Sequence, residues 1–373
     1  MATTEANASM PSSALANSAS QLPLDFSDVV IVLASDQVFA PYMAVAIQSI
    51  VEHTDPERHY DIVVLTRDID KPTRRILVAH VAATAGTNVS LGFLNAEVAL
   101  KGAQLPHHGH FRPETFFRLL APWLLPTVRK AIYLDSDLVV LDDPSKLFDT
   151  DVTGYLLAAT HDADMQGQIC GYDGTVKPYM EKDLELSDPM GYFQAGVLLL
   201  NLEAFRQIFS IQDMLELSTR KVWRWLDQDI LNMLANGQYV EVPMRWNTLM
   251  DWKGIRRKRI IGCAPEATRQ AYEEARRNPA VVHYAGPDDR PWLYPDCDMS
   301  DYFWDYASRS AFEDQVRARL EEWQTSLGGR AKKAEVDAIY KYVFRFFDFS
   351  CPPGSARRTR VIKTYVALGG DIA

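Results

Sequence analysis

The sequence predicts an α/β fold followed by a helical C-terminal region, and three observations support this prediction. Continuous apolar runs such as VVIVLA (29–34) are typical of strands that are covered on both faces. These runs alternate with stretches whose apolar spacing and length suit helices, which is the pattern of β-α-β units. Beyond residue 300 the strand pattern ends and helical segments take over. The chain has 373 residues, of which 47% are hydrophobic, and can therefore bury a large core.

The first half of the chain follows the alternating pattern closely. Polar turns, such as SDQ after the first apolar run, separate its elements. Two prolines, Pro122 and Pro126, interrupt the last helical stretch before the fourth strand. In chain order we expect a strand at 29–34, a helix at 39–54, a strand at 60–68, a helix at 71–84, a strand at 88–95, a helix at 113–125 and a strand at 131–137.

The second half is looser and ends in helices. A polar, glycine-bearing stretch at 161–191 suggests a long loop, and loops of that length are usually functional or mobile. A glycine pair, Gly328 and Gly329, separates the last two helical segments. We expect strands at 154–160, 239–247 and 280–286, a strand leading into a helix at 192–205, and helices at 225–235, 300–327 and 331–349.

These patterns divide the chain into three segments. Residues 1–26 are rich in Ala, Ser, Thr and Asn, a composition typical of a disordered tail. Residues 27–297 form the predicted α/β domain, and residues 298–373 form a helical appendage with a basic end.

Charge and composition exclude several classes of function. The net charge of −10 offers no bulk attraction to nucleic acid, so an anionic substrate needs local cations. The four cysteines lack C-x-x-C or C-x-x-H spacing, which argues against a zinc site and a disulfide framework. We see no signal peptide and no apolar run of about 20 residues that could span a bilayer. We therefore expect a cytoplasmic protein, unless it rests on the inner face of a membrane.

The stretch AIYLDSDLVVLDDP (131–144) carries an unusual pair of carboxylates. Side chains two apart on a strand project from the same side, so Asp135 and Asp137 are expected to lie next to each other. Burying either one unpaired costs several kcal/mol. Oxygen ligands of this kind suit a hard divalent cation, Mn²⁺ or Mg²⁺. The alternatives are solvated aspartates at a strand end, or charges neutralised by Arg118 or Arg129.

Six ordered segments within 29–292 resemble glycosyltransferase family 8, whose members are retaining galactosyl- and glucosyltransferases that use UDP-sugars on a GT-A fold. This resemblance implies a GT-A catalytic domain at 27–297. The segments are IVLASDQVFAPYMAVAIQSI, FFRLL, YLDSDLVVLDDP, YFQAGVLLLNL, LDQDILN and HYAGPDDRPW.

The resemblance also implies roles for individual residues. His283 becomes the third metal ligand beside Asp135 and Asp137. Asp227 and Gln228 are the candidates for catalysis, near the anomeric carbon and the sugar hydroxyls. The implied donor contacts are Ala34, Asp36, Arg118, Asp135, Ser136, Gln194, Gly286 and Arg290.

Three positions depart from the family pattern. Gln194 replaces the more usual Asn, which keeps the amide and lengthens its reach. The closing motif has one additional residue and carries Arg290 in place of Lys, which offers a bidentate grip on phosphate. Val38 stands where some members have Asn, so one nucleoside contact is expected to be absent.

The predicted chemistry is the transfer of a hexose from a UDP-sugar to a saccharide or glycolipid acceptor. Asp227, Gln228 and Asp229 diverge by about 100° per residue on a helix, so they cannot all face one point. Alternatively, the trio is simply a helix N-terminus rich in acceptors. Asp162 and Asp164 are further candidates for ordering substrate hydroxyls.

Two rival functions remain open from the sequence. DSDLV also fits the D-x-D-x-[TV] motif of haloacid-dehalogenase phosphatases, in which the first aspartate attacks phosphate. The second rival is a non-catalytic UDP-sugar-binding or scaffold protein, because a fold does not fix a function.

The segment YKYVFRFFDFSCPPGSARRTRVIK (340–363) interleaves aromatic and basic residues. That combination suits the interface of an anionic membrane, where a lipid-linked acceptor would reside. The alternative is that Tyr340, Phe344 and Phe347, at helical spacing, pack on the core.

Overall fold

A mixed sheet of seven strands forms the centre of the structure. The structure is a computed structural model, and it describes residues 24, 26, 28–97, 113–286, 290–339, 342 and 344–367. The strand order is β3-β2-β1-β4-β7-β6-β8, in which the first four strands run parallel and β7 is antiparallel to both its neighbours. The strands are β1 Val29–Ala34, β2 Tyr60–Thr66, β3 Val89–Asn95, β4 Ala131–Leu134, β6 Leu157–His161, β7 Phe193–Leu200 and β8 Val240–Glu241.

The central strands are apolar throughout because helices cover both faces of the sheet. In β1, Val30 and Val32 belong to one hydrophobic cluster, whereas Ile31 and Leu33 belong to the cluster on the opposite face. Neither face is solvated, so the sequence shows a continuous apolar run instead of alternation. The predicted α/β class is thereby confirmed.

The helices begin where the sequence provides caps. Before α2, for example, the Asp70 side chain accepts a hydrogen bond from Thr73 N (2.8 Å), and Pro72 stands in the first turn. The helices of the α/β region are α1 Ala40–Val51, α2 Lys71–Thr84, α3 Phe117–Leu124, α4 Ser145–Phe148, α5 Ala163–Gly167, α6 Val176–Lys182, α7 Leu202–Ile208, α8 Ile211–Arg220, α9 Leu226–Ala235 and α10 Glu266–Arg277.

A second, three-stranded sheet joins distant parts of the chain. Its order is β5-β10-β9, formed by β5 Leu138–Val140, β9 Thr248–Leu249 and β10 Val281–His283. β10 pairs antiparallel with β5 and parallel with β9. Because β5 follows β4 after three residues, this sheet carries β10 to the end of the main sheet.

The C-terminal helices dock on two different parts of the α/β region. The Trp292 ring, which precedes the first of them, stacks on Tyr42 of α1 (centroids 4.6 Å apart) and also contacts Phe303. Further along, the buried Arg358 donates to Asp348 (2.7 Å) and covers the Tyr172 ring (4.1 Å). These helices are α11 Ser300–Ala307, α12 Glu313–Thr325, α13 Leu327–Ala338, α14 Phe344–Ser350 and α15 Ala356–Ala367.

Three element predictions were wrong, and so was the expected break at Gly328 and Gly329, because both glycines lie in α13 and the helices separate at Ser326. The expected loop at 161–191 contains α5, a π-helical turn Gln168–Tyr172, α6 and a 3-10 turn Pro189–Gly191. The expected strand at 239–247 is confined to β8, and a 3-10 turn Met244–Asn247 follows Pro243. The expected helix at 300–327 divides into α11 and α12.

The proposed divisions at residues 26 and 297 stay predictions. Most of the N-terminal tail lies outside the described residues, as do Tyr340 of the aromatic pattern and residues 287–289 of the closing motif. Phe347 is half-buried beneath Arg358. In the part of the chain that the structure describes, no helix combines the length and apolar character needed to cross a membrane.

Candidate active site

Backbone pairing brings the two aspartates together with a histidine that is almost 150 positions away. Asp135 N donates to Gly196 O (2.8 Å), which continues the pairing of β4 with β7. His283 lies opposite Leu138 in the pairing of β5 with β10, and Tyr284 N donates to Asp137 O (2.9 Å). The position of the histidine beside the aspartates therefore follows from strand register.

The facing atoms of these three side chains converge on one point. His283 Nε2 lies 3.1 Å from Asp137 Oδ1 and 3.7 Å from Asp135 Oδ2, and one ligand atom from each residue lies within 4.8 Å of the others. Ligands at right angles about 2.1 Å from a metal lie about 3 Å apart, so this spacing suits two adjacent positions of an octahedral ion. Two carboxylates and an imidazole fit Mn²⁺ well, and Mg²⁺ less well because it prefers oxygen.

Two arginines neutralise the carboxylate oxygens that face away from this point. Arg118 Nη2 donates to Asp135 Oδ1 (2.7 Å), and Arg290 Nη1 lies 3.5 Å from Asp137 Oδ2. Each aspartate therefore keeps one oxygen directed toward His283. Burial alone raises the pKa of Asp137, but the neighbouring His283 and Arg290 outweigh it and hold this pKa below its usual value.

A glycine leaves room for the cluster. A Cβ atom on Gly196 would lie 2.3 Å from His283 Cε1 and 2.7 Å from Asp135 Oδ2. Both distances are far below ordinary van der Waals contact, so any larger residue would displace two of the three side chains. The absence of a side chain at Gly196 in β7 thus leaves the space that His283 and Asp135 occupy.

A chain of amide groups continues from this glycine to the far side of the histidine. Gly196 N donates to Gln194 Oε1 (2.5 Å), and Asn247 Nδ2 donates to the same oxygen (2.5 Å). Asn247 Oδ1 lies 2.9 Å from His283 Nδ1. The amide of Gln194, predicted to contact the donor, therefore lies within this network.

Asp227 contacts the same Arg118 guanidinium group as Asp135. Its Oδ2 is 2.7 Å from Arg118 Nε, but that N–H is directed at Thr115 O (3.1 Å), so the contact is ionic and poorly aligned. Burial and the charge of Asp135 raise the pKa of Asp227 to about 7, although Arg118 opposes this shift. Asp227 Oδ2 is thus a buried oxygen that accepts no aligned hydrogen bond from the described residues.

The two residues after Asp227 face different surroundings, as helical geometry requires. Gln228 Oε1 accepts from Ala195 N (2.9 Å), which ties α9 to β7. Asp229 accepts from three donors: Trp225 N (2.8 Å), Tyr179 Oη (2.6 Å) and Tyr192 Oη (2.8 Å). Asp229 is therefore a structural anchor whose oxygens are occupied.

The backbone at the start of α9 is unusual. Leu226 has a φ of +46°, a left-handed conformation that non-glycine residues rarely adopt. Such strain persists only where the surroundings impose it, and it is common at functional sites. The hydrogen bond from Trp225 N to Asp229 holds the flanking turn, and Leu226 directly precedes Asp227.

The residues expected to contact the nucleotide lie at the end of β1. Ser136 Oγ donates to Ala34 O (2.8 Å), which joins β1 to the segment between the two aspartates. Asp36 Oδ1 accepts from Phe39 N (2.6 Å) in the turn before α1. Val38 is exposed beside them.

The closing motif packs closely on a tryptophan. A Cβ atom on Gly286 would lie 2.1 Å from Trp252 Nε1, which itself donates to Ala285 O (3.1 Å). Arg290 Nε donates to Gly286 O (3.0 Å) and thereby remains beside Asp137.

Asp162 and Asp164 have mainly structural partners. Asp162 Oδ1 caps α5 by accepting from Asp164 N (3.0 Å), and its Oδ2 accepts from Gln228 Nε2 (3.2 Å). Burial and the charge of Asp164 raise the pKa of Asp162 to about 6. Asp164 Oδ2 accepts from the buried Arg256 (3.0 Å), which lies 4.0 Å from the Trp252 ring centre.

Sequence reasoning missed three residues that shape this site: Gly196, Asn247 and Arg256. Gly196 stood within a quoted motif, so its signal was available. Asn247 lay in a segment assigned to a strand, and Arg256 in the basic run RRKR, and neither context indicated a role.

A family model and a curated relative match this chain. The family model of glycosyl transferase family 8 matches residues 30–296. Lipopolysaccharide 1,2-glucosyltransferase of Escherichia coli K12 is 29% identical over 192 residues, which cover 48% of this chain and 50% of that protein.

Two solved structures share the fold. The WbbM bifunctional glycosyltransferase in its apo form aligns with a TM-score of 0.70 and 28% identity, covering 80% of this chain and 53% of the other. The galactosyltransferase LgtC in complex with donor and acceptor sugar analogs aligns with a TM-score of 0.62 and 26% identity, covering 78% of this chain and all of the other. This chain therefore spans about half the length of WbbM and of the E. coli enzyme.

Proposed function

The chain belongs to glycosyl transferase family 8, and we propose that it is a metal-dependent retaining hexosyltransferase that uses a UDP-sugar. The observation that carries this proposal is the convergence of Asp135, Asp137 and His283 at the end of β4. Galactose and glucose are the proposed sugars, in keeping with the galactosyltransferase and glucosyltransferase among its relatives. The proposed acceptor is a saccharide or a glycolipid.

The donor would lie across the ends of β1 and β4. The turn with Ala34 and Asp36 is proposed to hold the uracil, and Ser136 keeps this turn beside the aspartates. Arg290, fixed through Gly286, is proposed to bind the diphosphate as a planar cation suited to phosphate.

Asp135, Asp137 and His283 would hold Mn²⁺ or Mg²⁺, which neutralises charge that develops on the leaving diphosphate. The chain forms this metal site by pairing one oxygen of each aspartate with an arginine. The other oxygen of each aspartate and Nε2 of His283 then face one another. In a protein of net charge −10, this local positive potential is what permits an anionic donor to bind.

In the reaction, the bond between the anomeric carbon and the diphosphate oxygen breaks, and its electron pair leaves with UDP. The acceptor hydroxyl oxygen forms the new bond, and its proton passes to the departing diphosphate. We propose that Asp227 and Gln228 act near the anomeric carbon, because Asp227 Oδ2 is buried without an aligned donor and Gln228 lies beside it on α9. Retention allows either a carboxylate nucleophile or entry of the acceptor on the face that UDP leaves.

A donor turnover assay tests this proposal. Wild-type protein with Mn²⁺ is expected to release UDP from UDP-galactose or UDP-glucose, and more so with a glycan acceptor. Asp137→Asn should remove this activity, whereas Asp151→Asn, at an exposed carboxylate far from the site, should not. UDP binding without turnover across many acceptors would instead favour the scaffold alternative. Phosphate release from model phosphomonoesters, expected to be absent, would favour the phosphatase alternative.

We propose in addition that the C-terminal helices contact an anionic membrane that carries a lipid-linked acceptor, with the protein on the cytoplasmic face. Phe346 and Phe349 are 71% and 86% exposed, and α15 displays Arg357, Arg360 and Lys363 toward solvent. Exposed aromatic residues beside cations suit a charged membrane interface.

A vesicle experiment tests this second proposal. Phe346→Ser with Phe349→Ser should reduce sedimentation with vesicles of phosphatidylglycerol, whereas Val222→Ser with Ile208→Ser, at exposed apolar positions outside the C-terminal helices, should not. Equal sedimentation of both double variants and the wild type would contradict membrane contact through these helices.

A further inference from the structure

The amide network behind His283 has only one consistent set of hydrogen-bond assignments. Gly196 N–H is a backbone donor and can only donate, so the Gln194 atom that it contacts must be the oxygen Oε1. Asn247 presents a second atom to that same oxygen, and this atom must be its donor, Nδ2. A backbone amide thus determines the orientation of both side chains.

The orientation of Asn247 then determines the state of the histidine. With Nδ2 directed at Gln194, the oxygen Oδ1 faces His283 Nδ1 at 2.9 Å. An amide oxygen only accepts, so Nδ1 must carry a hydrogen. In the neutral ring the lone pair then lies on Nε2, the atom that faces Asp137 and Asp135.

We propose that Asn247 is a positioning residue that selects the metal-binding tautomer of His283, and that Gln194 fixes the amide of Asn247. Metal-bound histidines usually donate their second ring N–H to an acceptor, which fixes the ring and strengthens the ligand. Here a neutral amide supplies that acceptor, and the histidine keeps its full ability to bind a cation. This inference rests on the proposed metal site.

The fold keeps the network rigid. Asn247 is buried and ends a 3-10 turn immediately before β9, and β9 pairs with β10 so that His283 lies opposite Leu249. Met250 N donates to His283 O (3.0 Å), which holds the backbone of the histidine in the same register. This relay, which runs from Gly196 through Gln194 and Asn247 to His283, thus connects strands whose spacing is already fixed.

Mn²⁺ affinity provides the test, measured from free Mn²⁺ by electron paramagnetic resonance, with and without UDP. Asn247→Leu removes the acceptor and should weaken Mn²⁺ binding about 10–100-fold. Asn247→Asp keeps an oxygen for Nδ1–H but places its other oxygen against Gln194 Oε1, so it should bind Mn²⁺ more tightly than Asn247→Leu and less tightly than the wild type. Gln194→Leu, which releases the amide of Asn247 without removing it, should give an intermediate loss.

A matched control separates positioning from general stability. Asn201 donates to Val152 O (3.2 Å) and Tyr155 O (3.0 Å) beyond the opposite end of β7, so Asn201→Leu should lower thermal stability and leave Mn²⁺ affinity unchanged. Thermal unfolding without metal shows whether each variant is folded. If Asn247→Leu does not fold, the Mn²⁺ affinities of Asn247→Asp and Gln194→Leu are compared with that of the wild type. Wild-type affinity in Gln194→Leu would then refute the relay.

The outcomes distinguish the two levels of the argument. If wild-type protein binds Mn²⁺ no better than Asp137→Asn, the proposed metal site falls, and the relay with it. If the wild type binds Mn²⁺ and Asn247→Leu binds it equally well, only the relay is refuted. An equal loss in Asn247→Asp and Asn247→Leu would also refute it, because the retained oxygen would then have no effect.

Discussion

Replacing Gly196 with alanine is the smallest change that reaches the centre of the proposed site. The new Cβ would stand 2.3 Å from His283 Cε1, where ordinary contact begins at 3.4 Å, so the ring or the strand must move by about 1 Å. Metal ligation tolerates displacements of about 0.2 Å. The variant should therefore lose at least tenfold in Mn²⁺ affinity, and overpacking should cost about 1–3 kcal/mol of stability.

The control for this substitution is Gly328→Ala. A Cβ atom at Gly328 meets nothing within 4 Å, and the residue lies in the first turn of α13. Alanine there should leave Mn²⁺ binding unchanged and raise stability by up to about 1 kcal/mol.

Urea unfolding gives the stability of both variants, and Mn²⁺ titration gives their affinities. The reasoning would be refuted if Gly196→Ala bound Mn²⁺ with wild-type affinity and released UDP from the donor at the wild-type rate. The cluster would then either lie elsewhere or adapt without cost.

Further predictions concern charge, anchoring and metal. Arg118→Met leaves Asp135 and Asp227 without their buried cation and should cost about 3–5 kcal/mol in urea unfolding, whereas Arg129→Met, at an exposed pair, should cost less than about 1 kcal/mol. Equal effects would contradict the role given to burial. Asp229→Asn replaces one accepting oxygen with a donor and should cost about 1–3 kcal/mol and lower kcat, measured by urea unfolding and donor turnover; an unchanged kcat would separate this anchor from catalysis. EDTA should abolish UDP release and added Mn²⁺ should restore it; full turnover in EDTA would exclude metal dependence.

The sheet and its helices were predictable because strong local signals agreed with the tertiary structure. The helix expected at 71–84 forms at those residues, since Asp70 caps it and Pro72 suits its first turn. The strand β1 could be predicted from its own sequence, because a short run that is apolar on both faces is typical of a strand covered on both sides.

The segment 161–191 was misjudged because its helices are short and depend on tertiary contacts. Gly167 suggested a loop, yet a Cβ atom there would lie 2.1 Å from Ile260 O, so this glycine permits close packing. A Cβ atom on Gly174 would lie 2.2 Å from Thr359 Oγ1, so this glycine also permits close packing. Helices of five to seven residues are not stable alone, and local sequence carries little signal for them.

The site was predictable only where residues stood in recognised motifs. Asp135, Asp137 and His283 were expected to meet, and the pairing of β5 with β10 brings them together. Asn247 and Arg256 could not be found in this way, because their roles arise from contacts with segments far along the chain.

Thermal unfolding of the purified protein with UDP, Mn²⁺, both or neither tests the central claim most directly. A ligand that binds only the folded state raises its stability according to occupancy, so UDP with Mn²⁺ should raise Tm more than either alone. EDTA should abolish this joint rise, and Asp137→Asn should lack it. The account predicts that metal-dependent shift; no shift at saturating UDP and Mn²⁺ would contradict a donor site at Asp135, Asp137 and His283.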